Sequence, residues 1–98
     1  MKATAIKAIL LAASLSVVPT SGAAQTTAVD YSNRGDAEQA KGDLDAAIVD
    51  YNRAIELDPK NSDTYNNRGA AKDAKGDLDG AIADYNRAIE LKKAQPNR

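Results

Sequence analysis

The chain has 98 residues, no Cys, His, Trp or Phe, and 13 basic residues against 14 acidic ones for a formal charge of -1. This excludes disulfides, thiol nucleophiles, the common zinc and copper ligand sets and any His general base. The even charge balance argues against a nucleic-acid binder, which normally carries a basic surplus.

The first 24 residues read as a targeting segment. Lys2 and Lys7 give a positive start, Ala8 to Val18 form an uncharged run of eleven residues, Pro19 breaks it, and Ser21, Gly22, Ala23 and Ala24 offer a small-residue cleavage site before Gln25. A membrane anchor is the alternative, but spanning the hydrocarbon core takes ~20 apolar residues, more than this run supplies. The expectation is a signal peptide over 1–24 and an exported protein, periplasmic or secreted. Its mature chain, 25–98, carries 11 basic and 14 acidic residues and no membrane segment. That chain has only 14 large apolar residues. Burying each gains ~1.5–3 kcal/mol, whereas ordering the backbone costs on the order of 1–2 kcal/mol per residue. A domain so thinly supplied with core needs further contacts.

Four helices are expected, at about 28–41, 44–58, 62–75 and 78–93. Thr27 precedes the first as a candidate cap, and Gly42 suits the left-handed residue that ends it. Asp43 then caps the second helix, with Asp45 in its positive first turn. Within it Leu44, Ala47, Ile48, Tyr51, Ala54 and Ile55 follow the i, i+3, i+4, i+7 spacing of an amphipathic helix. Asp58-Pro59 stops it, since Pro cannot continue a helix. Asn61 caps the third helix, Gly76 ends it, and Asp77 and Asp79 open the fourth. There Leu78, Ala81, Ile82, Tyr85, Ala88 and Ile89 repeat the apolar stripe, and Pro96 is the latest stop. Gly80 weakens that helix by about 0.5–1 kcal/mol relative to Ala.

The two halves are copies. Residues 31–57 and 65–91 align at an offset of 34 with 21 of 27 positions identical. The differences are Ser32/Asn66, Asp36/Ala70, Glu38/Lys72, Gln39/Asp73, Ala46/Gly80 and Val49/Ala83. Folding each helix pair about its Gly-Asp turn sets Tyr31 opposite Ala54 and Gly35 beside Asp50 and Tyr51. The second copy sets Tyr65 opposite Ala88 and Gly69 beside Tyr85. Large rings thus meet small partners, as close antiparallel packing requires. The same fold-back brings Arg34 to Asp50 and Arg68 to Asp84, so a structural ion pair is expected across each hairpin.

The period, the two-helix unit and the order Tyr, Gly, Gly-Asp, Ala, Tyr, Ala, Pro resemble the tetratricopeptide repeat. Gly35, Ala47, Tyr51, Ala54 and Pro59 stand at its signature positions, as do Gly69, Ala81, Tyr85 and Ala88. Tyr31 and Tyr65 stand where the family often has Trp. Arg34 and Arg68 depart from its usual Leu, Glu38 and Lys72 from a frequent Tyr, and Lys93 from its closing Pro. The resemblance implies an all-α fold of two tandem helix-turn-helix hairpins, a short α-solenoid, with repeats at about 28–61 and 62–95.

It also implies a protein-binding module rather than an enzyme. The groove-lining positions carried over are Val29, Ser32, Asp36, Gln39 and Ala40, then Asp63, Asn66, Ala70, Asp73 and Ala74. None is basic and three are Asp, so a neutral or basic partner segment is expected. Ser32 and Asp36 occupy places where carboxylate-binding relatives need Lys and Asn. A second reading is self-assembly, because a stable stack usually needs about three repeats and the last helix would leave Ile82 and Ile89 on an exposed end face. No cofactor is expected. Asp43-Leu44-Asp45 and Asp77-Leu78-Asp79 lack the spacing of a calcium loop and are explained by helix capping. Asn52-Arg53 and Asn86-Arg87 fall on the polar face of their helices, where solvation is expected.

Overall fold

A computed structural model describes residues 21–95, with side-chain detail from Thr27 onward. Residues 1–20, which hold most of the expected signal peptide, lie outside the described residues. Four helices follow in order: α1 (Ser21–Ala40), α2 (Leu44–Leu57), α3 (Ser62–Lys75) and α4 (Leu78–Lys93). They form two antiparallel hairpins, α1 with α2 and α3 with α4, and α3 packs on α2 to join them. No strand occurs among the described residues.

The turns follow from the capping residues. Gly42 and Gly76 adopt φ of 86° and 95°, the left-handed region open to glycine. Each lets the next residue turn back on its helix: Asp43 N donates to Glu38 O at 2.9 Å and Asp77 N to Lys72 O at 2.8 Å. The Asp43 carboxylate then accepts from Ala46 N and that of Asp77 from Gly80 N, at 3.4 and 3.0 Å. Asn61 Oδ1 accepts from Asp63 N at 2.9 Å and starts α3. Thr27, expected to cap α1, instead lies inside it, because α1 begins upstream at Ser21. Neither Gly nor Pro separates Ala23 from Asp30, so nothing in that stretch stops a helix. Gly80 leaves room for the close Asp77 cap, since a Cβ there would sit 2.3 Å from Asp77 Oδ2. The propensity gain expected from Ala at 80 is therefore offset by a longer cap, like that of Asp43.

The core is small and sits between the hairpins. Ala47, Tyr51 and Ala71 are fully buried and packed together, flanked by Leu44 and Ile48. Gly35 makes room for the first ring, since a Cβ there would lie 2.8 Å from Tyr51 Cε1. Gly69 does the same for Tyr85, at 2.9 Å from its Cε1. Gly35→Ala is expected to lower stability by about 1–3 kcal/mol despite its better helix propensity, because the Tyr51 ring is enclosed and cannot retreat. Urea unfolding followed by circular dichroism measures it.

Candidate interaction surfaces

Two buried aspartates hold the hairpins closed. Asp50 and Asp84 are each 4% exposed. Arg34 Nε and Nη2 both donate to Asp50 at 2.8 Å, and Arg68 makes the same fork to Asp84 at 2.8 and 2.7 Å. The arginines also lie over aromatic rings, Arg34 at 5.2 Å from the Tyr31 centroid and Arg68 at 5.6 Å from that of Tyr65. The copies then diverge. Lys72 Nζ adds a second cation 3.1 Å from Asp84, whereas the equivalent Glu38 brings a second carboxyl to Asp50. Burial pushes the Asp84 carboxyl up, but Arg68 and Lys72 outweigh it and hold its pKa below the ordinary value. In the first copy Arg34 is the main cause holding Asp50 low, and the hydrogen bond to Asp50 pushes the Glu38 carboxyl up. Glu38 Oε1 is buried without a hydrogen-bond partner.

This asymmetry fixes a pH effect. A carboxyl whose pKa rises on folding supports the fold while protonated and opposes it once pH exceeds the folded value. Asp50 and Asp43 raise the Glu38 pKa and Arg34 works against them. Glu38→Gln keeps a donor for Asp50 and removes the charge, so it is expected to raise the melting temperature at pH 7. The gain should vanish as pH falls below about 4.5, the ordinary glutamate value. Thermal melts of both proteins across that range check it.

The expected groove residues lie along α1 and α3, and part of that set is also structural. Tyr51 Oη donates to Asp36 Oδ1 at 2.6 Å and lies 2.9 Å from Gln39 Oε1. Asn67 Nδ2 donates to the same Asp36 oxygen at 3.2 Å, linking α3 to α1. Asp36 and Gln39 therefore anchor the core tyrosine. Burial and the Asp36 charge together push the Tyr51 hydroxyl pKa up, so it stays a donor. Val29, Asp63, Asn66 and Asp73 are exposed, while Ser32 and Ala70 are half-buried. Among the described residues, neither Asp63 nor Asp73 takes part in an ion pair.

The end of the solenoid is open. Leu78, Ile82 and Ile89 are 57%, 56% and 56% exposed. A hollow of about 650 Å³ lies between α3 and α4, lined by Ser62, Asp63, Asn66, Tyr85, Ile89 and Lys92 among others. Asp63 and Asn66, expected in the groove, thus share one depression with Ile89, expected on the end face, although they lie on different helices.

Two family models match the chain. One described as TPR repeat covers residues 35–72, and one described as tetratricopeptide repeat covers residues 62–93. Together they span more than half of the sequence, and the hairpins beneath them have the knob-and-gap packing just described. The chain belongs to the tetratricopeptide-repeat family. No curated protein matches it at a significant level. The tetratricopeptide repeat is an interaction unit, generally a scaffold rather than a catalyst, and this chain is an all-α pair of such hairpins.

Some contacts of the tetratricopeptide hairpins escape the linear reading. Asn52, expected in solvent, is exposed but accepts from Arg68 Nη1 at 2.8 Å across the junction of the repeats. Lys75 pairs with Asp45 across the same junction. Folding each hairpin about its own turn places residues within a repeat. It carries no information on which faces of successive repeats meet.

Proposed function

We propose that this protein is an exported interaction module that holds a neutral or basic segment of another polypeptide along α1 and α3. The observation that carries this reading is the charge of that surface. Asp63 and Asp73 are exposed and take part in no ion pair among the described residues, Asp36 accepts only neutral donors, and Lys92 at the rim of the hollow is a nearby base, while Arg34, Arg68, Lys72 and Lys75 are committed to Asp50, Asp84 and Asp45. Unpaired carboxylates on an otherwise small-residue face favour cationic partners through attraction that salt weakens. Membership of the repeat family supplies the general role, and the acids supply the preference.

Titration of the chain with basic, neutral and acidic peptides of equal length tests the preference. Basic peptides are expected to bind several-fold tighter than acidic ones, with the difference shrinking at high salt. Asp63→Lys with Asp73→Lys is expected to invert the order. Equal binding of acidic and basic peptides overturns the reading. Export has its own test: protein recovered outside the cytoplasm should begin at Gln25.

A further inference from the structure

We propose that the open end of α3 and α4 receives helix α1 of a second copy of this chain, so that copies stack head to tail and continue the solenoid. The template is the junction inside the molecule. There α3 lies on α2 through Ala71, buried against Ala47 and Tyr51, through Arg68 donating to Asn52, and through Lys75 paired with Asp45. The same residue types, one repeat earlier, sit on the outer face of α1 as Ala37, Arg34 and Lys41, all exposed. Their receivers, one repeat later, sit on the open end as Tyr85, Asn86 and Asp79. The apolar flank recurs too, with Leu78 and Ile82 in place of Leu44 and Ile48.

The two ends of one molecule are therefore complementary by sequence identity. Of the junction links, only that of Asn67 to Asp36 has no counterpart, because Ala70 stands where Asp36 would be needed. Docking pairs Lys41 with Asp79, gives Arg34 an acceptor in Asn86 beyond its fork to Asp50, and covers Leu78, Ile82 and Tyr85. Arg34, with its side chain 61% exposed against 18% for Arg68, is the group whose environment changes most. The contact joins two different surfaces, so it does not close on itself and each added copy offers a fresh end. It uses the outer face of α1 and the end face of α3 and α4. It deepens the reading of an interaction module while leaving the acidic preference to stand or fall separately.

Two variants of the full chain test it. Ala37→Arg blocks the outer face of α1, and Ile82→Arg blocks the open end. Both positions are exposed, so each variant should retain the parent's helical circular dichroism. In sedimentation velocity the parent is expected to grow with concentration beyond a dimer. Each variant alone is expected to stay monomeric, and an equimolar mixture is expected to form a dimer that grows no further, since one intact end of each kind remains. A parent that is monomeric at millimolar concentration overturns the proposal. So does association that survives in either single variant, or a mixture that stays monomeric while the parent assembles. Because no peptide is present, failure here leaves the peptide titration result untouched.

Discussion

Tyr51→Ala is expected to destabilise the protein by about 3–5 kcal/mol, enough to unfold much of so small a domain, while Tyr85→Ala costs less than half as much. The two rings occupy the same place in nearly identical helices, so helix propensity and local sequence predict equal losses. Their surroundings differ. Tyr51 is fully buried, capped by Ala71 of the next repeat, with its hydroxyl bonded to Asp36. Tyr85 is only half-buried, lines the open hollow, and has Ala70 and Asp73 where Tyr51 has Asp36 and Gln39. Tyr51→Ala creates an enclosed cavity and removes the shorter of the two hydrogen bonds that Asp36 accepts, leaving that from Asn67, whereas Tyr85→Ala mostly enlarges a space already open to water. Urea titration of dilute samples measures both losses. Raising the protein concentration should widen the Tyr85→Ala loss if end-to-end docking covers that ring.

Asp84→Leu is the second large effect, with an expected loss of about 3–4 kcal/mol at neutral pH. The substitution leaves Arg68 and Lys72 facing an apolar side chain with no counter-charge. Asp50→Leu is expected to cost less, because Glu38 stands beside Arg34 and becomes its carboxylate once Asp50 is gone. Joint substitution of Arg34 and Asp50 by Leu should cost less again, since neither member of the ion pair is then left without the other. The pH dependence has a definite sign. The Asp84 pKa is lowered from 3.8 on folding, so its stabilisation is present above that value and is lost as pH falls through the folded one. The gap between parent and Asp84→Leu should therefore be widest near pH 7 and close in acid. Unfolding curves at several pH values give the difference directly.

The boundaries of the helices were legible because local chemistry sets them. Asp43, Asn61 and Asp77 cap, Gly42 and Gly76 turn left-handed, and Pro59 stops, each through backbone groups a few residues away. The pairing within each hairpin was legible too, since a tight turn leaves one antiparallel register and places Arg34 at Asp50 and Gly35 at Tyr51. Thr27 misled for the same reason: its match to Asn61 is real, but a cap forms only where the preceding chain leaves the helix, and at Ala23 and Ala24 it does not.

Beyond the hairpin, sequence periodicity loses its grip. Copies that share 21 of 27 residues diverge in environment, because the first has a neighbour packed on its second helix and the second has none there among the described residues. That neighbour buries Tyr51, gives Asn52 a donor and draws Lys75 to Asp45. Its absence opens the hollow beside Tyr85. Covalent order dictates what each repeat is made of and how it folds on itself. Burial of Tyr51, ion pairing across the junction and the hollow that Asp63 shares with Ile89 arise from the docking of helices in space. The hairpin turn does not encode them, because Arg68 and Asn52, although 16 residues apart like Arg34 and Asp50, belong to different hairpins, and Lys75 and Asp45 lie 30 residues apart.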